Sequence, residues 1–370
     1  MSETMTRDNL VARARRIVVK VGTAALTAAA GRLDAAFVGR LSAQIAGVLR
    51  AGADVTLVSS GAIGAGIAEL DLPGRPKNLP LLQATAAVGQ GQLMRTFHDA
   101  FGGFGVKVAQ ILLTRDDFHE RTRYLNIRNT IAALADCHAL PIINENDTVS
   151  VDEIRFGDND LIAALVANMI DADLLVLLTD VDGFLRAGTV VSRLDAIDEA
   201  VLGGAGGAGV AGMGGMRSKL QAAGMVTGAG AAVVIANARA DDCLPRLLAG
   251  EELGTLCVPA RRRMNARRRW IGHAARTSGK LHVDAGAARA VREQGKSLLA
   301  SGITGVSGRF AKGATVAIVD PAGRQIARGL ANYSADQIDR IRGLRSSQFA
   351  KVLGEKPYDE VVHRNNMTLS

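Results

Sequence analysis

Arg155-Phe156-Gly157-Asp158-Asn159-Asp160 follows shortly after Ile143-Asn144-Glu145-Asn146-Asp147 and leads into an apolar run from Leu161 to Ile170. Two clusters of carboxylates and amides thus flank one short connection. Carboxylates accept hydrogen bonds and attract cations, whereas primary amides both donate and accept. Together they suit a small zwitterionic ligand and the orientation of a lysine. A purely local reading also exists, in which Asp158 caps the helix and Asn144 to Asp147 make a turn.

Arg16-Ile17-Val18-Val19-Lys20-Val21-Gly22-Thr23 and Val55-Thr56-Leu57-Val58-Ser59-Ser60-Gly61-Ala62-Ile63-Gly64 are β-branched apolar runs ending in small residues. Each predicts a buried parallel strand whose carboxyl end opens into a turn, where ligands of open α/β sheets gather. Ser59, Ser60 and Gly61 let backbone N–H groups and a hydroxyl approach a carboxylate, with a helix N-terminus behind them. Lys20 puts an ammonium inside an apolar strand, and a buried ammonium needs an anionic partner. The alternative is a side chain that rises to solvent at the strand end.

Asp173 to Asp180 predicts another buried strand, ending in Thr179-Asp180. A glycine-rich stretch from Gly203 to Gly215 then leads into Met216-Arg217-Ser218-Lys219-Leu220. Glycines turn backbone N–H groups toward phosphate oxygens, and a helix start adds its positive end. A cation such as Lys219 in a first helical turn opposes the macrodipole unless an anion sits there too. A phosphate would supply that anion, although a loop without fixed structure has the same composition.

In this order, Val-Val-Lys-Val-Gly-Thr, Ser-Ser-Gly-Ala-Ile, Ile-Asn-Glu-Asn-Asp, Gly-Asp-Asn-Asp, Leu-Leu-Thr-Asp and Gly-Gly-Met-Arg-Ser-Lys-Leu-Gln-Ala-Ala resemble the glutamate 5-kinases of the amino-acid kinase superfamily. The resemblance runs from about Arg16 to Ala260, and the tail from Ser278 resembles a PUA domain. It implies a three-layer αβα catalytic domain with a mainly parallel sheet, followed by a small β-barrel. It implies that Ser60 with Gly61 and Ala62, Asp147 and Asn159 hold L-glutamate. Lys20, Thr179, Asp180 and the run Met213, Gly214, Gly215, Met216, Arg217, Ser218 and Lys219 would hold ATP. Lys20, Lys219 and Asp160 would be catalytic, with Asp160 orienting both lysines. Feedback inhibition by L-proline and a homo-oligomer are implied as well. Two departures stand out: Ala24 replaces a family serine, and Gly183 to Gly188 is shorter than the family's nucleotide loop.

The residues fit that chemistry independently. A glutamate side-chain carboxylate, with an ordinary pKa of about 4.3, is already a nucleophile at neutral pH and needs no general base. The motif clusters hold no histidine or cysteine, unlike a serine or cysteine hydrolase. The difficulty is an anion attacking a polyanion, which two lysines, backbone N–H groups and a metal can relieve. That metal would be Mg²⁺, held by phosphates and water with little protein ligation.

Length and composition frame this site. A chain of 370 residues with 48% apolar residues predicts one sizeable domain and a smaller one. No apolar run is long enough to span a membrane and Met1 to Arg16 lacks a signal-peptide core, so the expected location is the cytoplasm. Cys137, Cys243 and Cys257 lack metal spacing and are expected as buried free thiols. The net charge of +8 is entirely C-terminal: residues 1–260 balance at −5, residues 261–277 at +7 and residues 278–370 at +6. The division follows as a polar tail 1–15, a catalytic domain 16–260, a basic linker 261–277 and a PUA-like domain 278–370. A basic tail can also steer RNA, but residues 278–370 offer only Phe310, Phe349, Tyr333 and Tyr358 as stacking aromatics, which weighs against RNA.

Strands are predicted at Ile17–Val21, Val55–Ser59, Val106–Leu113, Pro141–Asn144, Leu174–Leu178 and Ala232–Ala236. Helical spacing marks Leu41–Leu49, Leu81–Phe101, Leu125–Leu134 and Leu161–Ile170 between them. This alternation predicts a mainly parallel sheet covered on both faces. After Ser278, short strands with glycine turns and one helix, Ala335–Leu344, predict the small barrel.

Overall fold

The computed structural model describes residues 6–28, 32–149, 159–205, 215–260, 271–272, 276–354 and 357–370. Two compact units divide the chain, the first holding the described residues up to Ala260 apart from Phe118–Arg121, the second the remainder.

Along the chain to Ala260 the elements are β1 (Arg16–Val21), α1 (Thr23–Leu26), α2 (Ala35–Arg50), β2 (Asp54–Val58), α3 (Ala62–Glu69), α4 (Leu79–Gly102), β3 (Lys107–Leu113), α5 (Arg115–His119), α6 (Arg121–Asp136) and β4 (Ala139–Glu145). They continue with α7 (Asn159–Met169), β5 (Leu174–Thr179), β6 (Leu185–Arg186), β7 (Thr189–Val190), β8 (Arg193–Leu194), α8 (Glu199–Gly204), α9 (Met216–Ala229), β9 (Ala232–Asn237), α10 (Cys243–Leu248) and β10 (Thr255–Cys257). One eight-stranded sheet has the order β3-β4-β2-β1-β5-β9-β10-β8. Every neighbouring pair is parallel except β9 with β10.

The register places the site. Ile111, Ile143, Val58, Lys20, Leu177 and Ile235 stand side by side across the sheet. The residues just past this row, Asn144, Ser59, Gly22 and Thr179, therefore emerge together along one edge. Because side chains alternate along a strand, β1 turns Ile17, Val19 and Val21 into the core it shares with α2, α4 and α10. Lys20 is left on the opposite face, against α7 and α9.

Two backbone devices shape this edge. Gly61, at φ +97°, lets the chain reverse from β2 into α3, a conformation that a side chain would strain. Farther along, α3 crosses α4 at Gly66 and Gly89. A Cβ on Gly89 would lie 1.8 Å from the Ala62 carbonyl oxygen, so only hydrogen fits.

The segment expected as a shortened loop is a hairpin, β6 and β7, joined by Ala187 and Gly188 with φ of 50° and 80°. Consecutive positive φ values give the turn whose twist matches paired strands. Gly203 and Gly204 of the glycine-rich stretch belong to α8, and residues 206–214 lie outside the described set. The thiol expectation needs one correction. Cys243 and Cys257 are buried, but Cys137 is exposed, because it lies in the turn after α6 and outside the sheet. Among the described residues no helix is long and apolar enough to cross a membrane.

The second unit has its own five-stranded mixed sheet, built from Gly279–Val283, Ile303–Ser307, Thr315–Val319, Gln325–Leu330 and Met367–Leu369. Leu281, Ile318, Ile338, Ile341 and Phe349 fill a separate core. Its helix Ala335–Ile341 starts in a capping box between Ser334 and Gln337 and ends three residues earlier than the sequence predicts.

Candidate active site

Asp160 is fully buried in the first turn of α7, where the helix's positive end favours a carboxylate. Lys20 Nζ lies 2.6 Å from its Oδ1 and Lys219 Nζ 3.1 Å from its Oδ2. Ser218 Oγ also donates to Oδ2, at 2.9 Å. Burial pushes the Asp160 carboxyl up, but the two ammonium groups outweigh it and hold it below the usual carboxylate range. Lys20 therefore has the anionic partner its burial requires. Lys219 finds its anion in the same carboxylate, where the sequence pointed to a phosphate. The group carries one excess positive charge in a buried setting, where added negative charge is strongly stabilised.

Asn159, the preceding residue on α7, belongs to a second network. Its Nδ2 lies 2.8 Å from Ser60 Oγ, 3.0 Å from the Ser59 carbonyl oxygen and 3.1 Å from Asn144 Oδ1. Asn144 Oδ1 also accepts the Glu145 backbone N–H at 2.8 Å, and its Nδ2 donates to Gln90 Oε1 on α4 at 2.8 Å. Among the described residues, Asn159 Oδ1 is buried and accepts no hydrogen bond. Such an orphan costs about 1–3 kcal/mol, and functional sites are where proteins keep them.

Gly61 and Ala62 start α3 directly after Ser60. Asp147 follows β4, and burial pushes its carboxyl up to about 6, with Arg75 opposing that rise from the loop between α3 and α4. Burial in turn lowers the Arg75 guanidinium, which Asp147 raises.

Thr179 ends β5, the neighbour of β1, and its hydroxyl bonds the exposed Asp180 carboxylate at 3.0 Å. Gly215 precedes α9, whose first turn carries Met216, Arg217, Ser218 and Lys219. Met213 and Gly214 lie outside the described residues, as do Arg155 to Asp158. The structure thus brings Lys20, Asp160, Ser218 and Lys219 into one bonded cluster, and Ser60 with Asn159 into another. Among the described residues no hydrogen bond ties Thr179 or Asp180 to either. Among the described residues no group of three or more His, Cys, Asp or Glu side chains could hold a metal ion.

A model of the amino acid kinase family matches residues 15–237. The chain belongs to the amino acid kinase family. A PUA domain model matches residues 279–353. Similar proteins include the glutamate 5-kinase of Moorella thermoacetica, 47% identical over an alignment of 368 residues that covers 96% of this chain and 97% of that one. The glutamate 5-kinase of Geobacter sp. strain M21 is 44% identical over 98% of this chain and 100% of its own. Among solved structures, carbamate kinase from Giardia lamblia bound to AMP-PNP superposes with a TM-score of 0.50 at 20% identity, over 67% of this chain and 100% of that one, a likeness of fold alone.

Within this amino acid kinase site, two contributors went unread in the sequence and a third was read only in part. Gln90 stands in a helix and carried no motif, although it is the polar residue between two glycines in Val88-Gly89-Gln90-Gly91. Arg75 lies in Pro73-Gly74-Arg75-Pro76-Lys77, which reads as an ordinary turn. Asn144 was visible in its cluster, but not as the bridge from α4 to α7.

Proposed function

We propose that this protein phosphorylates the side-chain carboxylate of L-glutamate with ATP, giving L-glutamyl 5-phosphate, the first step of proline biosynthesis. The observation that carries this reading is the pair of buried lysines fixed on Asp160, beside a network that includes Ser60 and Asn159. The near full-length similarity to proteins named glutamate 5-kinase supports the choice of substrate over carbamate or another carboxylate.

In the reaction a glutamate side-chain oxygen attacks the γ-phosphorus, and the bond from that phosphorus to the bridging oxygen breaks as ADP leaves. Asp147 holds the substrate ammonium, Ser60 its carboxylate, and Asn159 completes the pocket. Gly61 and Ala62 offer backbone N–H groups at the start of α3. Thr179, Asp180 and the segment Met213 to Lys219 hold the nucleotide. Lys20 and Lys219 neutralise charge on the transferring group, and Asp160 keeps both ammonium groups aimed. Lys20 is ion-paired with Asp160 Oδ1, and Lys219 and Ser218 sit on Oδ2, so Mg²⁺ would be carried by the phosphates and water, where it would supply further charge neutralisation.

The protein acts in the cytoplasm as a homo-oligomer and is inhibited by L-proline competing for the glutamate pocket. The deciding experiment traps the acyl phosphate with hydroxylamine across glutamate, aspartate, N-acetylglutamate and carbamate. Product from glutamate alone supports the reading, and a stronger signal from another acceptor overturns it.

A further inference from the structure

The chain of amides between α4 and α7 has a fixed polarity. The Glu145 backbone N–H must donate, so the atom of Asn144 that it meets is Oδ1. The other end of that amide, Nδ2, then faces Gln90 Oε1 at 2.8 Å. The Ser59 carbonyl must accept, so the Asn159 atom beside it is Nδ2, which also meets Asn144 Oδ1 and Ser60 Oγ. Each amide can take only one of its two flips without placing like groups together. Two results follow at the pocket. Among the described residues Asn159 Oδ1 is the end left unused, and Ser60 Oγ, which accepts from Asn159, retains its own proton to donate.

We infer that Gln90, on α4, is a positioning residue for the amino-acid substrate: by accepting from Asn144 it holds Asn159 and Ser60 with an acceptor and a hydroxyl donor turned to the ligand. This rests on the reading above that Ser60 and Asn159 belong to the glutamate pocket. Gln90 is suited to the task because Gly89 beside it pins α4 against Ala62 at the start of α3, so the helix cannot slide relative to Ser60. Without an acceptor at position 90 an Asn144 N–H loses its partner and the amide is held through Oδ1 alone, which loosens its grip on Asn159 and hence on Ser60.

The test compares Gln90→Met, which keeps length and removes the acceptor, with Gln90→Glu, which keeps an oxygen in place, and with Ser60→Ala, by steady-state kinetics of the full chain. Gln90→Met should raise glutamate KM by about tenfold, with ATP KM and kcat within about twofold, and Gln90→Glu should restore most of the affinity. Unchanged glutamate KM in Gln90→Met, equal impairment of Gln90→Glu, or a parallel loss in ATP KM would each overturn the inference. Ser60→Ala separates the two layers. If it leaves glutamate KM unchanged, the pocket assignment itself fails; if it raises KM while Gln90→Met does not, only the role of Gln90 fails.

Discussion

Lys20 Nζ rests 2.6 Å from Asp160 Oδ1, a contact between a strand near the start of the chain and the first turn of α7. The carboxylate thereby takes over the desolvation problem of a buried lysine and shares the solution with Lys219. A lysine held in this way needs no rearrangement when negative charge develops beside it.

Replacing either lysine should therefore affect the chemical step more than glutamate binding. Lys20→Met and Lys219→Met are each expected to lower kcat by about 100-fold or more, with a smaller change in glutamate KM. Initial-rate kinetics at saturating ATP check this, and a variant with near-normal kcat would remove that lysine from the mechanism.

Asp147 should give glutamate binding an acid limb. With its carboxyl pushed up to about 6, its ionised fraction falls below that pH, and glutamate KM should climb about tenfold per further pH unit. Asp147→Asn should show a high, pH-independent KM and unaltered ATP KM. The stability effect has the opposite sign. A carboxylate raised on folding destabilises the native state when ionised, fully above about pH 6 and not at all below about pH 4. Asp147→Asn should thus raise Tm near pH 8 and leave it unchanged near pH 4, as calorimetry would reveal.

At the α3–α4 crossing, Gly89→Ala places a methyl 1.8 Å from a carbonyl oxygen. The helices must part, at a cost of about 1–3 kcal/mol or more. Urea denaturation should register that loss, together with a higher glutamate KM, since Gln90 and Ala62 flank the contact.

L-proline should raise apparent glutamate KM without altering kcat at saturating glutamate. Inhibition that persists at saturating glutamate would place proline elsewhere.

The second unit has a core of its own. A chain ending near Arg263 should fold and still form the acyl phosphate, with regulation or assembly altered. A folded but inactive truncation would tie the second unit to catalysis. RNA captured by the isolated tail in a salt-sensitive manner would revive the nucleic-acid reading.

The sequence by itself determined the alternating architecture and most of the proposed site. Strand runs of Val, Ile and Leu are legible because strands covered on both faces tolerate little else, and Lys20 declared itself as an ammonium with no room for solvent. Asp160 and Lys219 were legible from polar motifs at helix starts. Tertiary structure decided the partnerships. That one carboxylate serves both lysines and Ser218 depends on β1, α7 and α9 meeting on a single face, which register fixes and local pattern does not. Gln90 and Arg75 were hidden for the same reason: a polar residue in a helix or a turn has an ordinary local explanation, and only the packing of α4 and its preceding loop against the sheet edge brings them to Asn144 and Asp147. The exposure of Cys137 was likewise decided by where its turn lies, not by its apolar neighbours in sequence.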